Sequence, residues 1–172
     1  MSATTLRQDF LDRMGSAAEA DGWPPIAGRL FGFLLLSPDP RCLDEIADEL
    51  GVSKASVSID ARNLLERGIL DRVSRAGDRR DFYALADDFC AAIIQHRLRR
   101  WRGLQRLASD ARLQSPSPSP RVKQRVAQLD EFHHFMIDRV SQAMADWDAI
   151  ARPPHTAKPS QTPRARKRSA RP

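Results

Sequence analysis

Residues 43–70 read LDEIADELGVSKASVSIDARNLLERGIL. Leu43, Ile46, Ala47 and Leu50 recur at spacings of three and four, the period of one buried helix face. Gly51 follows as a candidate C-cap, because glycine enters the left-handed region at little steric cost. Val52 is expected to be the buried residue of the turn. Ser53 is a suitable N-cap for a second helix over 54–67, and Gly68 closes it. Helix, short glycine turn, helix is the outline of a helix-turn-helix unit.

The second helix has two faces. Val57, Ala61, Leu64 and Leu65 share one and are expected to pack on the preceding helix and on Leu30 or Leu34. The other carries Ala55, Ile59 and Arg62, flanked by Ser56, Ser58 and Asn63. Short side chains at the N-terminal end suit a helix pressed into a major groove. Ser56 and Ser58 offer hydrogen bonds to bases or phosphates, Ile59 a contact to a thymine methyl, and Arg62 a partner for guanine or phosphate. Ser53 and Lys54 lie at the helix N-terminus, where a phosphate is favoured electrostatically. The competing reading is a solvated polar face.

Beyond this unit, residues 69–74 (ILDRVS) and 81–85 (DFYAL) have strand composition and flank a glycine loop, which predicts a β-hairpin. Arg72, Arg75, Arg79 and Arg80 crowd that hairpin, with Asp78 among them. A helix-turn-helix followed by a two-stranded ribbon is a winged helix. Its basic tip can follow the DNA backbone and insert an arginine into a narrow minor groove. Arg80 is the candidate for the groove, Arg75 and Arg79 for phosphates. Val73, Phe82 and Tyr83 anchor the strands, and Gly77 permits the bend. The competing reading is a solvated hairpin whose charges block edge pairing.

The segment GWPPIAGRLFGFLLLSPDPRCLDEIADELGVSKASVSIDARNLLERGILDRVSRAGDRRDFYALA, residues 22–86, resembles the GbsR-type branch of the MarR-family transcriptional regulators. The matching pieces are Ala27-Gly28-Arg29, Phe31-Gly32, Leu34-Leu35-Leu36, Ser53-Lys54, Val57-Ser58, and Gly77-Asp78-Arg79-Arg80 with Tyr83. Leu85 is followed by Ala86 where the wider family usually has threonine, which fits the GbsR-type branch. The resemblance implies a bacterial, dimeric winged-helix protein that binds operator DNA, often as a repressor. It also implies that Arg80 serves the minor groove and that Asp78 orients a wing arginine.

The flanks are helical. Over 3–20, Leu6, Phe10, Met14 and Ala17 or Ala18 share a face; Trp23-Pro24-Pro25 opens a helix to Leu36 whose Ile26, Leu30, Phe31, Phe33, Leu34 and Leu35 make it the core helix. Asp87 or Asp88 can cap a helix to about residue 113, rich in arginine (97, 99, 100, 102, 106 and 112) and expected to be a solvated, salt-bridged linker. Residues 115–120 (SPSPSP) predict a stiff connector, and a last helix spans about 121–150. On it Val122, Val126, Leu129, His133, Met136, Val140 and Trp147 form a 4-3 repeat, continued by Ala143 and Ile150. Phe132, Phe135, Ile137 and Met144 widen the stripe. This predicts a homodimer interface, with the 3–20 helix contributing; a purely intramolecular helix pair is the alternative. A two-fold dimer would present two recognition helices to a near-palindromic site in double-stranded DNA.

The fold class is therefore mainly α: a winged helix-turn-helix with a two-stranded β-wing, flanked by long dimerisation helices. The expected organisation is an N-terminal dimerisation helix (1–21), the DNA-binding domain (22–86), linker and dimerisation helices (87–151) and a disordered basic tail (152–172). Of 28 lysines and arginines in the 172 residues, seven lie from Arg152 onward, where there is no acid. The remainder carries 21 basic against 22 acidic residues, so DNA affinity in the folded part must come from local patches. The tail is open to two readings, added nonspecific affinity or a solubilising end.

Other classes have less support. No phosphate-binding glycine loop or nucleophile elbow occurs, so an enzyme is not expected. A winged helix used only for protein contacts is the alternative, against which the basic wing argues. Cys42 and Cys90 match no zinc or redox spacing, and buried thiols in a reducing cytoplasm are expected. No apolar run suggests a membrane helix and no secretory signal is present. Glu131, His134 and Asp138 could share a helix face as metal ligands, but charged flanks of a dimer helix explain them as well, and no cofactor is predicted. Relatives of the GbsR type are associated with choline, which calls for an aromatic cage. Trp23, Trp101 and Trp147 are available for such an effector, although aromatics at helical spacing are more often core.

Overall fold

The computed structural model describes residues 3–114 and 119–151. The SPSPSP connector, apart from its last two residues, and the 152–172 tail lie outside the described residues. Six helices and three short strands follow in the order α1 (Ala3–Ala20), α2 (Pro25–Leu35), β1 (Arg41–Cys42), α3 (Leu43–Leu50), α4 (Lys54–Glu66), β2 (Leu70–Ser74), β3 (Asp81–Leu85), α5 (Phe89–Gln114) and α6 (Pro120–Ala151).

The helix-turn-helix forms as its residues dictate. Gly51 caps α3 in the left-handed conformation at φ 62°, and Val52, half-buried, sends its amide back to the Ala47 carbonyl at 3.1 Å. The inner face of α4 buries Val57, Ala61 and Leu64 against α2, with Leu65 half-buried beside them. A fourth buried residue, Asp60, was absent from the expected face.

The wing hairpin pairs Leu70 with Leu85, Val73 with Phe82 and Ser74 with Asp81, and Gly77 turns its loop at φ 83°. The sheet has a third strand that residue patterning did not reveal. β1 pairs antiparallel with β3, Arg41 opposite Tyr83 and Cys42 opposite Phe82, giving the order β1-β3-β2. Two residues are too few for an alternation signal, so only the long-range pairing exposes the strand.

Around this unit runs one hydrophobic cluster, centred on Leu30, Phe33, Leu34, Ile46, Val57, Leu64 and Ile69. It also takes Leu11 from α1 and Ala92 from α5, so the core crosses the boundaries expected at 21/22 and 86/87. The buried face of α1 differs from expectation: Leu11 is fully buried whereas Leu6 is 53 % exposed. The reason is the close crossing of α1 over α2. A Cβ at Gly28 would fall within 3.0 Å of the Met14 carbonyl oxygen and of Ala18 Cβ, and one at Gly32 would stand 3.0 Å from Met14 Cγ. Those two glycines bring α1 down on its Leu11–Met14–Ala18 side, which turns Leu6 outward. Arg7 reinforces the docking through an ion pair with Glu49 at 3.1 Å. On α2, Leu35 is exposed rather than core, as is Leu36, because the helix ends there and its inner face stops at Leu34.

The long helices α5 and α6 pack together. Along α6, His133 and Ile137 are buried, and Val126, Met136, Val140 and Met144 are half-buried. His133 Nδ1 lies 2.8 Å from the Leu129 carbonyl oxygen. In contrast, Leu129, Phe132, Phe135, Trp147 and Ile150 are about half or more exposed, and Val122 is exposed as well. The helix thus carries two apolar faces, one used against α5 and one without cover among the described residues. Arg97, Arg99, Arg100, Arg102 and Arg106 of the expected linker are exposed, and Arg97 pairs with Asp21 at 3.0 Å. Cys42 is buried as expected; Cys90 is exposed, because Phe89, Ala91 and Ala92 supply the inward side of the first turn of α5. Among the described residues no helix is long and apolar enough to cross a membrane.

Candidate nucleic-acid interface

The outer face of α4 is assembled by its cap. Ser53 Oγ accepts the Ser56 amide at 3.1 Å and lies 2.8 Å from Ser56 Oγ. The two serines are therefore engaged with each other, and a spare lone pair or proton is what they offer outward. Ala55 and Arg62 are exposed, Ser56 and Ser58 are half-buried, and Ile59 is 59 % exposed. Lys54 is exposed at the helix N-terminus, with its Nζ 2.7 Å from Asp44 Oδ1, an ion pair that joins α3 and α4.

Asp60, which sequence reasoning missed, is buried on the same helix. Burial raises its carboxyl pKa, while a hydrogen bond from Asn63 and the charge of Arg67 oppose the rise. Arg67 caps the end of α4 by donating from Nη1 to the Asn63 carbonyl at 2.8 Å, and its guanidinium lies 4.9 Å from the Trp23 ring centre. An acid at helix position 60 gives no sign of burial until the neighbours that satisfy it are known.

The wing is more organised than a basic turn. Asp78 grips Arg80 four ways: Oδ1 accepts the Arg80 amide at 2.9 Å, both oxygens lie 3.1 Å from Nε, and Oδ2 accepts Nη2 at 2.7 Å. Those bonds hold the Asp78 carboxyl down at about 2 and push the Arg80 guanidinium further up. Arg80 Nη1 also donates to Cys42 Sγ at 3.4 Å. Phe82, only 1 % exposed, lies under two guanidinium groups, Arg75 at 4.2 Å and Arg80 at 5.4 Å from the ring centre.

Arg75, expected near phosphates, is exposed, and its Nη2 donates to the carbonyl of Pro40, the residue before β1, at 2.8 Å. Arg79 is exposed at the tip, with no hydrogen bond or ion pair to a described residue. Arg72 pairs with Asp81 across the hairpin at 3.3 Å. Helix α4 leads directly into the hairpin, the Ile69 amide just ahead of β2 donating to the Leu64 carbonyl at 2.9 Å, and burial raises the hydroxyl pKa of Tyr83 on β3.

Two further features lie away from this surface. A cavity of about 430 Å³ opens between α1, α2, α4 and α5, lined by Trp23, Phe31, Leu64, His96, Arg100 and Trp101 among others. Trp23 and Trp101 thus meet at one site, and Trp147 lies elsewhere. His96 stands edge-on to Trp23 at 5.5 Å. Among the described residues no group of three or more His, Cys, Asp or Glu could hold a metal ion; His134 lies 3.6 Å from Asp138 and 3.4 Å from Gln105.

Comparison with known proteins agrees with this geometry. The profile of the MarR family matches residues 21–81. The chain is 31 % identical over 145 residues to the HTH-type transcriptional regulator MmpR5 of Mycobacterium tuberculosis, covering 84 % of this chain and 88 % of that one. It is 24 % identical over 133 residues to the HTH-type transcriptional repressor OpcR of Bacillus subtilis, covering 71 % of each. A solved structure of a transcriptional regulator superposes with a TM-score of 0.73 at 30 % identity, over 83 % of this chain and 97 % of that one.

Proposed function

The chain belongs to the MarR family of DNA-binding, winged-helix transcriptional regulators, and from that premise we propose that it acts as a homodimeric repressor at a near-palindromic operator. The observation that carries the DNA reading is the joint surface of α4 and the wing. An open Ile59 and Arg62 lie on the helix that leads into a hairpin whose Arg80 is held rigid by Asp78 and whose Arg79 is unengaged. In this reading α4 enters the major groove, Arg62 reads a base or phosphate, and Arg80 enters the minor groove.

The dimer reading is supported by the uncovered face of α6. Leu129, Phe132, Phe135, Trp147 and Ile150 are about half or more exposed along about 30 Å of the helix, and exposed apolar side chains gathered on one helix mark an interaction surface. A second copy, related by a two-fold axis, covers it with the same stripe. Repression is supported by the likeness to OpcR, itself a repressor. The GbsR-type branch rests on the order of the motifs from Ala27-Gly28-Arg29 to Tyr83, and action on DNA calls for a cytoplasmic location. The cavity beside Trp23 and Trp101 supports control by a small molecule.

The test is genome-wide mapping of bound DNA, followed by titration of the recovered duplex at several salt concentrations. Affinity should fall steeply with salt. Arg62→Ala should relax base preference by about 1–3 kcal/mol if it reads a base; a uniform loss across sequences assigns it to phosphate. Binding indifferent to salt refutes the DNA reading, and a monomer in sedimentation at micromolar concentration refutes the dimer.

A further inference from the structure

The wing arginine rests on more than its neighbouring aspartate. β1 is only two residues long, yet it places Cys42 directly opposite Phe82 in the sheet. That register sets the Cys42 sulfur under Arg80, and Nη1 donates to it at 3.4 Å across 38 residues of sequence. The thiol is itself fixed, because Cys42 is 1 % exposed and its amide donates to Glu45 Oε2 at 2.9 Å. Glu45 in turn is the third residue of α3, where it closes a capping box on Cys42.

A chain of contacts therefore runs from the first helix of the helix-turn-helix to the wing. It passes from α3 through Glu45 and Cys42 to the Arg80 guanidinium. Asp78 holds that guanidinium from the loop side, Cys42 from the sheet side and Phe82 from below. Asp78 alone could not fix it in space, because both residues sit on the same six-residue loop and would swing together. Cys42 is the one hydrogen-bonding partner of the guanidinium that belongs to the body of the domain.

We propose that Cys42 is a positioning residue for DNA binding, its sulfur registering Arg80 to the helix-turn-helix so that wing and recognition helix meet DNA at a fixed relative setting. This rests on the DNA-binding reading above. A sulfur acceptor is weak, but the bond needs only to select one orientation of a guanidinium already paired with Asp78. Cys42 itself is closed to solvent, so its role is one of geometry and needs no thiol chemistry.

The experiment is a double-substitution cycle on the full chain, read by fluorescence anisotropy on a duplex selected from a random library by the wild-type protein. Cys42→Ala should weaken binding about two- to tenfold, the worth of one such hydrogen bond. Cys42→Ser, which keeps an acceptor, should stay within about twofold of wild type. In the Arg80→Ala background, Cys42→Ala should have no further effect. Should Cys42→Ala lower thermal stability, Cys42→Val refills the buried volume without an acceptor and carries the same comparison. An equal loss with and without Arg80, or no loss in a variant of unchanged stability, overturns the proposal. Failure of the wild-type chain to select any duplex overturns the DNA reading on which it rests.

Discussion

Removing the Asp78 carboxylate separates orientation from charge at the wing. Arg80 carries five N–H groups. Nε and one proton of Nη2 go to Asp78, and one proton of Nη1 goes to Cys42. The remaining two point away from those partners and are what the side chain can present to DNA. In Asp78→Ala the guanidinium keeps only the sulfur and the ring of Phe82, and must be ordered on binding. Immobilising one long side chain costs about 0.5–1.5 kcal/mol, so affinity for a selected duplex should fall roughly two- to twelvefold. The same substitution removes a negative charge beside the phosphates. Affinity for a scrambled duplex should therefore rise, with a log–log salt slope steeper by up to about 0.9. Because the bonds of the Asp78 carboxylate all go to Arg80 on the same loop, thermal stability should change little. With its pKa at about 2 the carboxylate stays ionised from pH 4 to 8, and whatever it contributes fades only as pH falls toward that value. Anisotropy titrations of both duplexes between 50 and 200 mM salt measure the two effects at once. Equal weakening on both duplexes, or unchanged affinity for the selected one, would show that Asp78 does not act by holding Arg80.

Two predictions concern the scaffold. Gly28→Ala forces a Cβ into the Met14 carbonyl and Ala18, whereas Gly103→Ala adds one in open space. Overpacking costs about 1–3 kcal/mol against a helix-propensity gain of about 0.5–1 kcal/mol, so urea unfolding at fixed protein concentration should show the first variant destabilised and the second stabilised; the same sign for both would refute the close crossing of α1 and α2. The His96 pKa is lowered by burial and then by Arg67, Arg99, Arg100 and Arg97. Its unfolded form takes up protons first, so stability should decline as pH falls through about 6.5; His96→Gln should flatten that decline, and an unchanged slope would remove His96 from it.

What could be read along the chain was set by local chemistry. Gly51 and Ser53 define the turn of the motif by their own backbone and side-chain preferences, and Gly77 does the same for the wing. Features that depend on distant partners were not legible. Lys54 and Asp44 are ten positions apart and meet only when α3 and α4 cross. Arg75 and Arg79 are both exposed arginines of one loop, yet it is Arg75 that donates to the Pro40 carbonyl. On α1, Leu6 and Leu11 lie on neighbouring flanks of one amphipathic helix, and only the glycines of α2 decide which flank is buried. Helix α6 is the same problem doubled, since two apolar stripes on one helix read as a single wide one. The 4-3 repeat blended the face that packs on α5, at Val126, His133, Met136 and Val140, with the uncovered face at Leu129 and Trp147.

The cavity and α4 share a wall, which constrains how a ligand bound there would act on DNA binding. Leu64 belongs to α4 and lines the cavity, and Trp23 stacks on Arg67, which holds the last turn of α4 through the Asn63 carbonyl. A ligand shifts an equilibrium only by its differential affinity for the two states. Occupancy must therefore alter the setting of Leu64 or of the Trp23–Arg67 pair to be felt at Ile59 and Arg62. A molecule that fills the space between α1 and α5 while leaving those contacts in place would bind tightly and regulate nothing. Any such coupling would work in both directions: were a ligand in the cavity to change DNA affinity, DNA would change the affinity for that ligand by the same factor.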